Sequence, residues 1–540
     1  MIRISQIKMP LSHTKEELLK EAAGMLHIRL EKILSYKIIK KSIDARKKPD
    51  IYFVYTLDVS VLGEQQILQR GNRNLCKTPE NPYRFPEPGN LSLPERPVII
   101  GTGPAGLFCG YLLALHGYRP ILLERGKAVT ERKRDVDAFW EQGILKEDSN
   151  VQFGEGGAGA FSDGKLNTLV KDKQGRNREV LRILAKHGAP EEILYDARPH
   201  IGTDILINVV QNMREEILAC GGEVRFESKV TGLVIEGGEM RAVLINHEER
   251  LPAHIVVLAI GHSARDTFWM LYEEHVPMDA KAFAVGLRVE HPRQMINMLQ
   301  YAVAEHPLLP AASYKVTAQT GDKRGVYSFC MCPGGYVVNA SSESDQLAIN
   351  GMSYSGRNGA NSNSAVIVTV TPEDFAGSHP LAGIAFQREL EERAYRIGQG
   401  QVPVESYGAF REALTGQPQT PSRLLKDYPD FMPAIKGGWQ FAPVHEILPA
   451  HLGRAFVEGM DYFDRTLPGF ADSGVYIEGV ESRTSSPVKI HRDETGQSSI
   501  KGLYPCGEGA GYAGGITSAA MDGMLIAEKI AGNYKPADDR

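Results

Sequence analysis

The feature that most constrains the fold is a glycine-rich turn directly after a short apolar run. Residues 97–101 are predicted to form a strand, and the segment Gly101-Thr-Gly103-Pro-Ala-Gly106 follows and opens a predicted helix over 104–116. Gly101 permits a tight turn, Gly103 lets a phosphate approach the backbone, and Gly106 lets the helix pack closely on the strand. The helix N-terminus then offers free N–H groups and a partial positive charge. The pattern predicts a strand–turn–helix unit that binds a phosphate group.

An acidic residue extends this prediction to a whole dinucleotide. The next predicted strand, 120–124, ends in Glu124, 21 residues after Gly103. A carboxylate at that place accepts hydrogen bonds from the ribose hydroxyls of an adenosine. Its charge also disfavours a 2′-phosphate, so the sequence predicts FAD or NAD rather than NADP.

Four further segments resemble parts of the FAD-binding fold of the glutathione-reductase and fumarate-reductase superfamily. They are Glu124-Arg125-Gly126 with Arg132, the strand and turn at 255–261, the glycine-dense loop at 150–166, and the segment 502–516. The last is the most specific, because it resembles the C-terminal motif in which an acid, here Glu508, precedes a helix that begins near the flavin pyrimidine ring. An NAD dehydrogenase needs no such second closure, so the resemblance implies FAD.

Most of the chain resembles a family of predicted FAD-dependent dehydrogenases, and the resemblance includes the N-terminal segment. It implies a fold and a cofactor but no substrate. Together with the glycine turn it implies that FAD is bound by Gly101, Gly103, Pro104, Ala105, Gly106, Glu124, Arg125, Arg132, Gly156, Gly157, Ala158, Gly164, Lys165, Leu166, Val230, Gly261, Gly507, Glu508, Gly514, Gly515 and Ile516.

The order of predicted elements indicates an α/β fold with several domains. A small α+β module is expected at 1–76, and a linker at 77–96 that contains five prolines, which exclude a regular helix there. A Rossmann-type FAD-binding domain is expected in two pieces, 97–282 and 446–540, because α/β alternation returns near the C-terminus. The region between them, 283–445, is expected to be an inserted α+β substrate domain.

Composition excludes several classes of protein. The net charge is −5 among 540 residues, with 42% hydrophobic and 24% charged residues, which favours neither a nucleic acid nor a membrane as partner. No apolar run approaches the length of a membrane span. The N-terminal residues 1–20 are polar and contain Pro10, so no signal peptide is predicted and the cytoplasm is the expected location.

Two local features each have two interpretations. A basic run in the N-terminal module is either an RNA- or phosphate-binding face or a strand edge that lysines protect from pairing; it comprises Lys37, Lys40, Lys41, Arg46, Lys47 and Lys48. Cys330 and Cys332 form a C-x-C that is either a redox or metal pair or two small buried residues of a strand over 327–332. No C-x-x-C is present, which argues against a dithiol relay, and no further cluster supports a metal site.

The sequence assigns no catalytic residue. Lys165, His262, Arg265 and Arg483 are candidates for holding a substrate carboxylate or polarising a carbonyl, and each could equally pair with an acidic neighbour. The loop at 350–364, rich in glycine, serine and asparagine, is a candidate substrate lid or an ordinary connection.

The function predicted from these residues is an FAD-dependent oxidoreductase that transfers a hydride through flavin N5 to or from a small molecule. A flavin monooxygenase is the alternative within enzymes, and a flavin-responsive RNA-binding or scaffold protein is the alternative outside them. No second dinucleotide fingerprint follows residue 126, so NAD(P)H is expected only as a transient visitor to the flavin.

Overall fold

The computed structural model describes residues 1–80, 82–375 and 379–536. The N-terminal residues form an antiparallel sheet with the strand order β2-β3-β1-β4. Its elements are β1 (Ile2–Pro10), α1 (Lys15–Leu26), β2 (Ile33–Lys47), β3 (Asp50–Val61), α2 (Glu64–Leu68) and β4 (Leu75–Lys77). Helix α1 begins with a capping box, in which Thr14 and Glu17 exchange side chain–backbone hydrogen bonds. It ends where His27 adopts a left-handed conformation.

The next part of the chain alternates strands and helices. Its elements are β5 (Leu91–Ser92), β6 (Val98–Ile100), α3 (Pro104–Leu115), β7 (Ile121–Leu123), α4 (Val129–Gln142), α5 (Arg176–Lys186), α6 (Thr203–Ala219), β8 (Glu223–Arg225), β9 (Val230–Glu236), β10 (Glu239–Ile245), β11 (Glu249–Pro252), β12 (Val256–Leu258), α7 (Arg265–Glu273) and β13 (Met278–Ala280).

Longer antiparallel strands dominate the region that follows. Its elements are β14 (Phe283–Pro292), α8 (Arg293–Tyr301), β15 (Thr317–Gln319), β16 (Gly325–Cys332), β17 (Tyr336–Asn339), β18 (Ile349–Met352), β19 (Asn361–Val370), α9 (Ala382–Ile397), β20 (Val402–Ser406), α10 (Tyr407–Thr415), α11 (Leu424–Asp427), β21 (Ile435–Lys436), β22 (Trp439–Phe441), α12 (Ala450–Thr466) and β23 (Tyr476–Glu481). The chain closes with β24 (Val488–Ile490), β25 (Leu503–Pro505), α13 (Ile516–Asn533) and β26 (Tyr534–Lys535).

A parallel sheet with the order β25-β12-β6-β7-β8 forms the centre of the α/β part. Its middle strands are apolar and buried on both faces, as a sheet covered by helices requires. Helices α3 and α13 cross closely on one face, where a side chain on Gly523 would collide with the Ala105 carbonyl oxygen at 2.1 Å. The fold is therefore of the Rossmann type, and its C-terminal strand returns to the sheet that begins at Val98.

A second sheet has the order β15-β16-β19-β14-β23-β20-β22 and its own apolar core. Strand β23 lies between β14 and β20, so this sheet extends to Glu481. The expected boundary at residue 446 therefore falls too early for this sheet, because the return to the parallel sheet comes only at β25. The sequence pattern missed this because β23 pairs with strands far away in the chain.

The candidate lid at 350–364 is not a free loop. Its first residues belong to β18 and its last to β19, and Asn361 and Asn363 are buried. Their amides bind buried charges: Asn363 accepts a hydrogen bond from Arg288, and Asn361 donates one to Glu290. The asparagines whose composition suggested a loop therefore lie in a sheet, where they form hydrogen bonds with buried ionisable side chains.

The N-terminal sheet is docked on the rest of the chain through its basic strand. The backbone of Lys41 exchanges hydrogen bonds with Tyr195 and Ala197, at 2.7 and 2.8 Å. The edge of β2 is thus partly occupied. Within the described ranges no helix is long and apolar enough to cross a membrane.

Candidate functional site

The glycine turn joins β6 to α3 and faces a cavity. Gly101 has φ 98°, and a Cβ there would lie 2.4 Å from the Ala259 carbonyl oxygen. A Cβ on Gly106 would lie 1.9 Å from the Gly101 carbonyl oxygen, so helix and strand pack in direct backbone contact. Gly103 has only the Cα of Gly157 nearby, at 3.8 Å, and no side chain caps the start of α3. The backbone is bare, and the N–H groups of the first helical turn are available to a ligand.

Glu124 occupies the predicted place at the end of β7 and is 4% exposed. Its Oε2 accepts from the Thr102 N–H at 2.9 Å and the Thr102 hydroxyl at 2.7 Å. Its Oε1 accepts from the N–H groups of Gly126 and Gly154, both at 3.0 Å. A carboxylate has about four acceptor positions, and these four donors occupy all of them. Glu124 therefore links the glycine turn to the loop that contains Gly154. A ribose hydroxyl that donates a hydrogen bond to Glu124 must therefore share an acceptor position with one of these donors or displace it.

The glycine-dense loop is held from inside by Arg132. This fully buried guanidinium donates to the carbonyl oxygens of Asn150 at 2.8 Å, Glu155 at 2.7 Å and Gly157 at 3.0 Å. Burial lowers the pKa of Arg132 to about 10. The side chain does not reach the cavity wall, so Arg132 positions the loop and does not contact a ligand there.

The C-terminal motif supplies a second helix N-terminus. Helix α13 begins after Gly515 without a side-chain cap, and a Cβ on Gly514 or Gly515 would meet no atom within 4 Å. Glu508 lines the same cavity, with its Oε1 3.4 Å from Nδ1 of His262. The other ring nitrogen of His262 is buried and has no partner in the described part of the structure. Both helix starts thus border a space in which polar groups lack partners.

The cavity has a volume of about 350 Å³ and is bordered by segments distant in sequence. It lies within the size range of small-molecule sites, roughly 300–1,000 Å³. Of the cofactor-binding residues predicted from the sequence, its wall includes Gly101, Gly103, Pro104, Ala105, Glu124, Arg125, Gly157, Ala158, Gly164, Lys165, Val230, Gly261, Glu508, Gly514, Gly515 and Ile516. Bare glycine backbone, two uncapped helix starts and an unpartnered imidazole nitrogen fit a dinucleotide in this space.

Five of the predicted residues lie outside the wall and support it. Gly106, described above, makes the helix–strand contact, and Arg132 holds the loop. A Cβ on Gly156 would meet the Ala160 side chain at 3.0 Å, and one on Gly507 would meet Ala105 at 2.7 Å. Leu166 is buried, and its carbonyl oxygen accepts a hydrogen bond from Thr517.

The charged candidates for substrate contact differ in how firmly they are paired. Arg265 is buried and bound to Glu391 and Glu343, away from the cavity wall. Arg483 lines the cavity, but its donors are taken by Glu391 and Ser342. The two guanidinium groups hold the pKa of Glu391 far below its usual range, against the opposing effect of burial. Both arginines therefore belong to a buried ion cluster.

Lys165 is the more available cation. Its Nζ is 3.8 Å from Asp163 Oδ2, while Asp163 is more closely paired with Arg357 at 2.6 Å. The side chain is 32% exposed and lines the cavity. A loosely paired ammonium group at a cavity wall can bind an anionic or carbonyl oxygen of a ligand.

The second sheet contributes residues to the wall that the sequence did not predict. They are Phe329, Cys330 and Glu481. Asn350, in β18 of a separate three-stranded sheet, and Thr484, which follows β23, also lie in the wall and were not predicted. Burial raises the pKa of Glu481, whose Oε2 accepts a hydrogen bond from Arg288 at 2.8 Å. Only the pairing of β23 with β14 brings Glu481 to the cavity, and no local pattern in the sequence signals it. Lys229, also in the wall, was likewise missed.

Comparison with known proteins gives a family. Residues 282–484 match the model of the FAD-dependent protein C-terminal domain-like family, and residues 1–60 match a domain of unknown function. A protein of Clostridium beijerinckii (strain ATCC 51743 / NCIMB 8052), described as an uncharacterized protein, is 45% identical over 535 residues. That match covers 98% of each chain.

Solved structures resemble the chain only weakly. Glycerol-3-phosphate dehydrogenase from Bacillus halodurans, complexed with FAD, has a TM-score of 0.36 at 12% identity, covering 82% of this chain and 65% of that one. Glycine oxidase from Bacillus cereus ATCC 14579 has a TM-score of 0.30 at 13% identity, covering 82% of this chain and 98% of that one.

Proposed function

The chain belongs to the family of FAD-dependent proteins, and on this premise we propose that it is an oxidoreductase that transfers a hydride between flavin N5 and a small molecule in the cavity described above. The observation that supports the proposal is that the turn at Gly103 and the start of α13 at Gly515 line the same cavity. FAD, when bound, supplies the hydride chemistry.

The residues of the chain would hold the cofactor from both ends. We assign the pyrophosphate to the uncapped start of α3, because N–H groups and the helix dipole favour an anion there. We assign the flavin to the start of α13, where uncapped N–H groups stabilise negative charge on a reduced ring. The FAD-binding domain is proposed to be discontinuous, with the second sheet between its two parts.

The substrate is proposed to lie against the part of the wall that includes Phe329 and Glu481 of the second sheet. Lys165 can bind a carboxylate or carbonyl oxygen, and Asn350 and Thr484 add polar groups beside it. Glu481 can hold a proton for exchange with the substrate, since burial raises its pKa. This arrangement favours small oxygenated substrates such as unsaturated or hydroxylated acids. NAD(P)H as a transient electron donor is part of the proposal.

The test begins with the cofactor. The purified protein should be yellow and release FAD, not FMN, on denaturation. Gly103→Val should lose FAD, because the added side chain occupies the space left for the pyrophosphate. Gly24→Ala is the matched control, since Gly24 lies in α1 with open space around it. A protein that takes up no FAD after reconstitution contradicts the proposal.

The second stage follows the flavin absorbance under anaerobic conditions. NADH, NADPH and a panel of unsaturated and hydroxylated acids would be tested as donors and acceptors. Reduction by a donor and reoxidation by an organic acceptor are the expected results. The same mixtures would then be exposed to ¹⁸O₂, and a product that gains an ¹⁸O atom would identify a monooxygenase instead.

A further inference from the structure

The cavity wall contains a thiol that the proposed function does not use. Cys330 is partly buried and lines the cavity beside Phe329, while Cys332 is fully buried. Both lie at the end of β16, where Phe329 pairs with Ala365 and Cys332 pairs with Asn363. Three steps along β16 thus match two along β19, so the strand carries one extra residue, a bulge. Bulges beside a site re-aim side chains, and this one is next to the cavity.

The bulge also changes the backbone at the first of the two cysteines, which are close in the chain. In a regular strand, residues i and i+2 point to one face with their Cα atoms roughly 6.6 Å apart, at about 3.3 Å per residue. That is near the upper end of the range of about 4.4–6.8 Å that a disulfide spans. Cys330 has φ 42°, which departs from an extended strand. The Cys332 thiol accordingly turns back and donates to the Cys330 carbonyl oxygen at 3.2 Å.

The charges around the pair differ between the two sulfur atoms. The buried Arg288 guanidinium donates to the Cys330 carbonyl at 3.1 Å and lies 3.9 Å from Cys332 Sγ. The Cys332 thiol, followed by the charges of Arg288 and Lys165, lowers the pKa of Cys330 to about 5 against the effect of burial. Burial raises the pKa of Cys332. Of the two sulfur atoms, that of Cys330 is therefore the more readily ionised, which is a property of reactive cysteines rather than of inert buried ones.

We propose that Cys330 and Cys332 form a redox-active dithiol that exchanges two electrons with the FAD of this cavity. The inference rests on the proposed function, because it requires FAD in this cavity. In the forward step the two cysteines, both starting as thiols, lose their S–H protons, form one S–S bond and release two electrons and two protons. The oxidised flavin takes up those electrons and protons and becomes the two-electron reduced form. The reverse step reduces the disulfide. The absence of a C-x-x-C does not prevent this, because the bulge shapes the C-x-C.

The first measurement counts electrons. The FAD-loaded protein is oxidised with ferricyanide, freed of reagent and titrated anaerobically with dithionite. Wild type should take up four electrons per FAD, two for the flavin and two for the disulfide, and Cys330→Ser and Cys332→Ser should each take up two. Cys220→Ser, at the C-terminal end of α6, is the matched control and should take up four. An uptake of two electrons by wild type overturns the proposal.

The second measurement does not depend on the flavin spectrum. Thiols of the denatured protein are alkylated before and after reduction and counted by mass. The oxidised wild type should show four of its six cysteines as free thiols, and peptide mapping should place the bond between Cys330 and Cys332. Six free thiols, or a bond to Cys506, which also lines the cavity, overturn the proposal. If no FAD binds, the proposed function fails as well; if FAD binds normally and six thiols remain, only the dithiol fails.

Discussion

Replacing Glu124 with glutamine tests how the glycine turn is held together. The amide keeps the shape of the carboxylate but has one acceptor oxygen, which can face the N–H groups of Gly126 and Gly154. Its NH₂ group then faces Thr102. The Thr102 hydroxyl can rotate to accept, but the Thr102 N–H cannot, so one buried donor loses its partner. That loss costs roughly 1–3 kcal/mol, and the other bonds lose their charge assistance. We expect Glu124→Gln to lower the free energy of unfolding by about 2–4 kcal/mol.

The assay separates folding from cofactor binding. Urea unfolding of the FAD-free protein measures the first, and titration with FAD measures the second. A loss of 10- to 100-fold in FAD affinity is expected, since about 1.4 kcal/mol corresponds to tenfold. The flavin spectrum should not change, because we assign the adenosine to this end of the cavity. Glu508→Gln, near the assigned flavin, is the control and should leave the unfolding free energy close to that of wild type.

One result would refute this reasoning. If FAD-free Glu124→Gln unfolds within about 0.5 kcal/mol of wild type, the variation typical of ordinary surface substitutions, the four hydrogen bonds do not organise the turn. If FAD also binds as tightly as before, the placement of the adenosine is wrong.

Further predictions concern the support of the loop, the helix–strand contact, the substrate wall and a buried acid. Arg132→Met should lower stability by about 3–5 kcal/mol in urea unfolding, because the carbonyl oxygens of the loop lose a buried cation; FAD affinity equal to that of wild type would contradict its positioning role. Gly106→Ala should prevent FAD binding in reconstitution, because its Cβ would lie 1.9 Å from a backbone oxygen, whereas normal binding would show that α3 can shift. Lys165→Met should raise the KM for an acidic substrate at least tenfold with FAD affinity unchanged, and an unchanged KM would remove Lys165 from the substrate site. Burial raises the pKa of Glu290 from 4.5 to about 7. Its contribution to stability is therefore complete below 4.5 and is lost as the pH rises through about 7, a change of about 3 kcal/mol; Glu290→Gln should flatten that part of the pH profile of unfolding, and an identical profile would contradict the raised pKa.

The parts of the site that could be predicted from the sequence share one property: each is defined by residues that are close together in the chain. The turn from Gly101 to Gly106 needs its spacing along the chain, and Gly514 and Gly515 precede the helix whose start they expose. Glu124 follows its strand at the expected distance, and it lies where predicted. Its hydrogen bonds with Thr102 and Gly154 were not predicted, because those donors come from separate segments, and its role toward a ribose stays a prediction.

The sequence by itself thus determined the parallel α/β sheet and the glycine turn, because hydrophobic periodicity and glycine spacing are local properties. The FAD-binding family came from the resemblance of its motifs to those of known flavoproteins. Only the tertiary structure decided which side chains face the cavity. It brought β23 and the bulge of β16 to the cavity wall, buried Arg132 against the carbonyl oxygens of the glycine-dense loop, and paired Arg265 and Arg483 with Glu391. The physical reason is that the pairing partners of a buried charge or a long-range strand are chosen by packing, and packing joins residues that no local pattern connects.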